Sequence, residues 1–339
     1  MMRFISLFLF SFLAVSSLAA QRVSFVWPAP ETPLREGVPA TEILQHAGSG
    51  DPKSGGFGGV RSGGKQFHEG IDIKPRNRDR AGNPTDRAVA AMDGVVRHIS
   101  AVAGKSSYGR YVVLEHTEVS PAVYTLYAHL AQITPGLRVG NRIQAGEPVG
   151  TIGRSAGGYV IPKDRAHLHF EIGLMMTRDF QRWYDSRKFG SRNEHNIWNG
   201  MNLMGVDALD FYTQWRAGHV ANFEEYFRRL PPAVALRIST RRVPDFVTRY
   251  PALLTKPLPD AVGGWEIQFD WTGLPFAWTP LTPMQVLDMK LQPNQPVIVR
   301  ANEPLIRRER SKTLATKKQG DWVIGSDLKT VLQQLFAIP

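Results

Sequence analysis

The chain has 339 residues, no cysteine, and 41 Lys and Arg against 30 Asp and Glu, a formal net charge of +11. The missing cysteines exclude disulfides, a thiolate metal site and a lipid-modified cysteine. The basic balance favours anionic partners, but there is no clustered basic motif of the kind nucleic-acid binding requires.

Met1 to Ala20 reads as a cleaved signal peptide: Arg3, an apolar run from Phe4 to Val15, then the small residues Ser16-Ser17-Leu18-Ala19-Ala20. No later segment is long and apolar enough to span a bilayer. The expectation is a periplasmic or secreted protein with no membrane contact after cleavage. Residues 21–66, dense in glycine from Gly48 to Gly64, read as a loop-rich lead-in that borders a cleft.

Strand-like segments follow. Gln66 to Ile73 alternates, with His68, Gly70 and Asp72 on one face. A flat strand would hold the α-carbons of His68 and Asp72 roughly 13 Å apart, so sharing one ion requires a bend, and Gly70 is placed to allow it. In Tyr124 to Leu130 the alternation sends Leu126, Ala128 and Leu130 inward and Thr125, Tyr127 and His129 outward. Leu137 to Gly153 is turn-rich, with glycines at 140, 146, 150 and 153.

Gly153-Arg154-Ser155-Ala156-Gly157 matches the Gly-x-Ser-x-Gly elbow of a serine esterase, with Ser155 as nucleophile. That elbow needs a helix after it, and Gly158 to Pro162 is a poor helix start, so a turn is the preferred reading. The loop Arg154 to Ala166 then leads to Arg165 to Ile172, where His167, His169 and Glu171 share one face and Leu168, Phe170 and Ile172 the other. Two histidines roughly 6.6 Å apart along a strand allow one to bind a metal while the other stands beside its water. Two neutral imidazoles and a carboxylate suit zinc with a fourth position open. The His-Glu-x-x-His helix of other zinc peptidases is absent.

Taken in order, His68 to Asp72, Tyr127 to Leu130 and His167 to His169 resemble the motifs of the M23 (LytM/lysostaphin-like) zinc metallopeptidases, over residues 67–173. The resemblance implies a mainly β catalytic domain of antiparallel sheet with helical additions; the C-terminal part, which resembles no family, reads from its own pattern as a smaller α+β domain. It implies one Zn2+ per chain held by His68, Asp72 and His169. His129 and His167 become the catalytic pair that positions and deprotonates water and stabilises the oxyanion. The implied activity is hydrolysis of peptide cross-links in bacterial peptidoglycan. The rival within the family is a metal-free protein that binds cell wall or activates an amidase. His46, His98, His195 and His219 read as surface or core residues, and His116 as structural.

Beyond the motifs, Met175 to Asn202 is a long polar and aromatic stretch, and Gly205 to Asp210 resembles the family's closing turn. Asn222 can cap a helix with Phe223, Tyr226, Phe227 and Leu230 on one face, stopped by Pro231-Pro232, which suggests a catalytic domain over 67–230 and a second domain over 231–339. In the latter, Trp265 to Trp271 and Phe276 to Leu281 form a plausible hairpin. Ser326 can cap a last helix that buries Leu328, Val331, Leu332, Leu335 and Phe336. The role of this second part and the oligomeric state are left open.

Overall fold

The computed structural model describes residues 21–30, Pro39 and 42–338; the proposed signal peptide lies outside them. The strand Leu168–Met175, buried along its whole length, is the axis of the main sheet. On one side it pairs antiparallel with Val123–Ala128, and the sheet continues through Tyr111–His116, Gly94–Ser100 and Arg142–Ile143. Its other edge is shared: Ile71–Ile73 pairs with the first half and Leu203–Val206 with the second. A three-stranded sheet of Arg87–Val89, Pro148–Thr151 and Gln132–Ile133 packs beside it. This is the antiparallel, strand-rich architecture the motifs imply.

Helices are short and sit at the margins. Asp207 caps Ala208–Arg216 by accepting from the amides of Leu209 and Asp210, and Asn222 caps Phe223–Arg228 through Glu225 N. Part of the lead-in, though irregular in backbone, is buried in the core: Phe25 and Trp27 pack their rings on Phe211, Tyr212 and Trp215 of the first of these helices. Among the described residues, no helix is long and apolar enough to cross a membrane.

Residues 231–338 build a four-stranded antiparallel sheet in the order Pro275–Leu281, Gly264–Phe269, Val234–Ser239 and Val297–Ala301. The expected hairpin is there, its turn held by Asp270 Oδ1, which accepts from Thr272 N, Thr272 Oγ1 and Leu274 N. The last helix, Ser326–Phe336, buries the five expected residues, but Gly325 is its cap and Ser326 its first helical residue. Apolar packing is continuous between this sheet and the main one, from Phe170 and Met176 to Trp265 and Phe336. Trp271 packs edge-on against Phe57 and Phe67 at 6.0 and 5.8 Å, and Tyr250 Oη accepts from Met175 N.

Candidate metal and catalytic centre

The strand pair Gln66–His68 and Ile71–Ile73 is interrupted at Glu69-Gly70, and the bend brings His68 Nε2 to 3.1 Å from Asp72 Oδ1. Gly70 is required by crowding: a Cβ there would lie 2.3 Å from the carbonyl oxygen of Phe170. His169 sits opposite Asp72 on one side and Ala128 on the other. Direct cross-strand neighbours share a face, so His169 meets Asp72 without further adjustment. His169 Nδ1 is 3.1 Å from Asp72 Oδ1 and 2.9 Å from His68 Nε2.

His129 reaches the cleft by a different route from the one alternation suggests. Tyr127 pairs with Phe170 and turns into the main core, their rings 5.3 Å apart, while Leu126 and Ala128 lie on the face of His169 and Glu171. Continued alternation would therefore put His129 in the core. Its backbone instead adopts the left-handed region, with φ +59, just after the strand Val123–Ala128 ends. The ring turns back over the cleft, 4.8 Å from that of His167. The inward and outward faces expected for this strand are thus exchanged up to Ala128, and both are buried.

Backbone carbonyls fix the tautomers. Each can only accept, so the ring nitrogen facing it carries the proton. His68 Nδ1 donates to Gly56 O at 2.7 Å, His129 Nδ1 to Ser155 O at 2.8 Å and His167 Nδ1 to Arg165 O at 2.7 Å. Each of these rings turns a bare Nε2 inward. His169 is held by a side chain instead: its Nε2 donates to Glu171 Oε1 at 2.9 Å, leaving Nδ1 bare. Glu171 is fully buried and also accepts from Tyr108 Oη at 2.6 Å and Tyr124 Oη at 2.7 Å.

The result is a group of acceptors with no donor among them. Ligand atoms of His68, Asp72 and His169 lie within 4.8 Å of one another, all three residues buried. A cation suits such a set, and two imidazoles with one carboxylate suit zinc. In the protein alone a proton serves the same end: burial pushes His169 down, but hydrogen bonds to Asp72 and Glu171 outweigh it and raise its pKa to about 9. Burial would raise Asp72, yet His167 and His68 hold it well below the usual carboxylate range. Burial, then the neighbouring His167 and His169, keeps His129 well below the ordinary imidazole value, so it is a neutral base at pH 7.

These groups line a cleft of about 490 Å3 whose rim includes His46, Arg61, Tyr159 and Arg165. The lead-in and the loop after Arg154 both border it, as expected. Arg61 ion-pairs Asp72 Oδ2 at 2.5 Å and also donates to Ser54 O. Arg61, Tyr108, the bonding of Glu171 and the position of His46 escaped the sequence reading. The alternation did place Glu171 on the right face, and that was the available signal. The structure does not favour Ser155 as a nucleophile: its Oγ donates to Leu130 O and accepts from Arg110 N, and no helix starts directly after it, the next helical turn being Lys163–Arg165. His116 is structural, bonded to Asp93 O and Thr125 Oγ1; His98 and His195 pair with each other, and His219 is exposed.

Residues 66–179 match the sequence model of Peptidase family M23. No curated protein matches the chain. Similar solved structures include Csd3 of Helicobacter pylori, at 20% identity over 44% of this chain and 30% of that one, TM-score 0.28. The catalytic domain of lysostaphin from Staphylococcus simulans is 20% identical over 47% of this chain and 89% of its own, TM-score 0.29. A putative glycyl-glycine endopeptidase, lytM, from Ruminococcus gnavus is 25% identical over 45% of this chain and 53% of its own, TM-score 0.30. The aligned part thus spans under a third of Csd3 and about half of the Ruminococcus protein.

Proposed function

We propose, from the match of residues 66–179 to the sequence model of Peptidase family M23, that the chain is a zinc-dependent endopeptidase that cuts peptide cross-links of bacterial peptidoglycan, in the periplasm or outside the cell. The observation that carries this reading is the convergence of bare acceptors from His68, Asp72 and His169, each oriented by an outer partner. Glu171 and the Gly56 carbonyl do for the two imidazoles what outer hydrogen bonds do at zinc sites generally, fixing tautomer and ring angle.

These three residues would hold the ion, which supplies Lewis acidity to the scissile carbonyl and to the attacking water. The chain's own residues do the rest. His129 and His167 present bare Nε2 atoms across a ring distance of 4.8 Å. His129, neutral at pH 7, can take the proton of the attacking water and return it to the leaving amine. His167 lies beside Asp72 Oδ1 at 3.3 Å and shares the cleft, where its Nε2 can accept from the reacting water and position it. All five residues are present and oriented, which favours catalysis over the metal-free reading.

Digestion of purified peptidoglycan tests the proposal. Release of muropeptides with newly freed peptide ends, abolished by a chelator and restored by zinc, is the expected result. Cleavage that persists in chelator, or binding to the wall with no new ends, would overturn it.

A further inference from the structure

The catalytic cleft continues past Tyr108. A second cavity of about 600 Å3 lies on the far side of that residue, and Glu69, Ser107 and Tyr108 line both spaces. Joined, the two exceed the roughly 300–1,000 Å3 of a small-molecule pocket, so the groove suits an extended ligand. Its far wall comes from residues 184–201, beyond the end of the family match at 179.

That wall is held in place. His195 Nε2 donates to Lys105 O at 3.0 Å, which leaves Nδ1 to accept from His98 Nε2 at 3.3 Å. Tyr111 Oη donates to Trp198 O, and Gly200 lies so close to the Tyr108 ring that a Cβ would come within 2.7 Å of it. The insertion therefore leans directly on the residue that supports Glu171.

We propose that the outer half of the groove is a second peptide-binding site, which holds the branch of a cross-linked peptide on one side of the scissile bond and selects branches bearing both a free amine and a free carboxylate. This deepens, and rests on, the peptidase reading. Charges of both signs face the space: Glu69 and Glu194 against Lys105 and Arg192. The Lys105–Glu194 pair, 2.5 Å apart, has side chains 52% and 44% exposed. Exposed pairs of this kind contribute little to stability, so a zwitterionic ligand can exchange partners with it at small cost. A glycan chain would want open aromatic faces. Tyr184 is buried against Phe180 and Phe189, and Tyr108 is covered by Gly200.

The test compares cross-linked muropeptide dimers with linear peptides containing the same bond, for the full chain and for Arg192→Ala and Met201→Glu. Wild type should show a kcat/KM at least tenfold higher for dimers, carried by KM, and each variant should cut that preference at least fivefold. Calorimetric binding to the chelator-treated protein gives a second readout: dimers should bind more tightly than linear peptides, and the variants should lose the difference. Equal kinetics and binding for both substrates, or competition by peptide-free glycan strands, would overturn the proposal. Dimer-selective binding without any cleavage would support this site while refuting the peptidase reading.

Discussion

Glu171 is closed off from solvent, and both its oxygens are occupied, by Tyr108 and His169 on one and Tyr124 on the other. A buried carboxylate is tolerated only when its charge is answered in this way. Its task is to keep the proton of His169 on Nε2 and the lone pair of Nδ1 toward Asp72. Glu171→Gln keeps the shape but removes the charge and turns an amide donor toward a tyrosine hydroxyl. Zinc affinity measured by chelator competition should fall about 10–100-fold, the usual effect of disturbing such a support; an unchanged affinity would mean that Tyr108 and Tyr124 do the orienting alone. That His68, Asp72 and His169 would meet could be anticipated because each sits in a local motif, His68 four residues before Asp72 and His169 two after His167. Arg61 and His46 were not, since Arg61 ends the short strand Gly58–Arg61, His46 sits in irregular chain, and no periodicity marks either.

At the level of elements, the site depends on two breaks in regular strands. One is the bend at Glu69-Gly70, foreseen from the distance argument, although the reason for glycine is the approach of the Phe170 carbonyl. Gly70→Ala forces a backbone oxygen to move, and overpacking of this kind costs about 1–3 kcal/mol. Denaturant unfolding should show that loss; an unchanged midpoint would remove crowding as the reason for the glycine. The other break is the left-handed His129, which no glycine or asparagine advertises: alternation gave the wrong faces up to Ala128, and His129 reaches the cleft only because its backbone turns. The loop after Arg154 is tied down at its far end, with Lys163 Nζ on Ala81 O and Arg78 on Lys163 O, while Tyr159 Oη reaches across to Ser107 O. It spans the mouth beside His129. Removing Tyr159 to Asp164 should change which muropeptides are cut while zinc content stays intact, and an identical product profile would reduce the loop to surface decoration.

For the whole molecule, motif order announced a strand-rich protein, but not how its parts are joined. The hairpin and last helix of residues 231–338 were readable from their own periodicity. The packing of Trp271 on Phe57 and Phe67 was not, because it links elements about 200 residues apart. Two histidines inside this structure make its stability depend on pH. Burial lowers both His98 and His116 to about 4, and His195 adds to the effect at His98. At these two sites the unfolded chain binds more protons than the folded one between pH 6.5 and 4, so their contribution to stability is complete above about 6.5 and declines as pH falls. The loss is roughly 3 kcal/mol per histidine by pH 4, at 1.36 kcal/mol per unit. Thermal unfolding from pH 7.5 to 4 should show a falling midpoint, less steep in His116→Gln; a flat midpoint would show that neither histidine stays neutral when folded.

The most direct test is the zinc content of the purified chain and of Asp72→Ala, with His129→Ala as the comparison. One zinc per wild-type chain, lost with Asp72 and kept without His129, is the expected result. Full zinc in Asp72→Ala, or its loss in His129→Ala, would contradict the assignment of His68, Asp72 and His169 as the metal site.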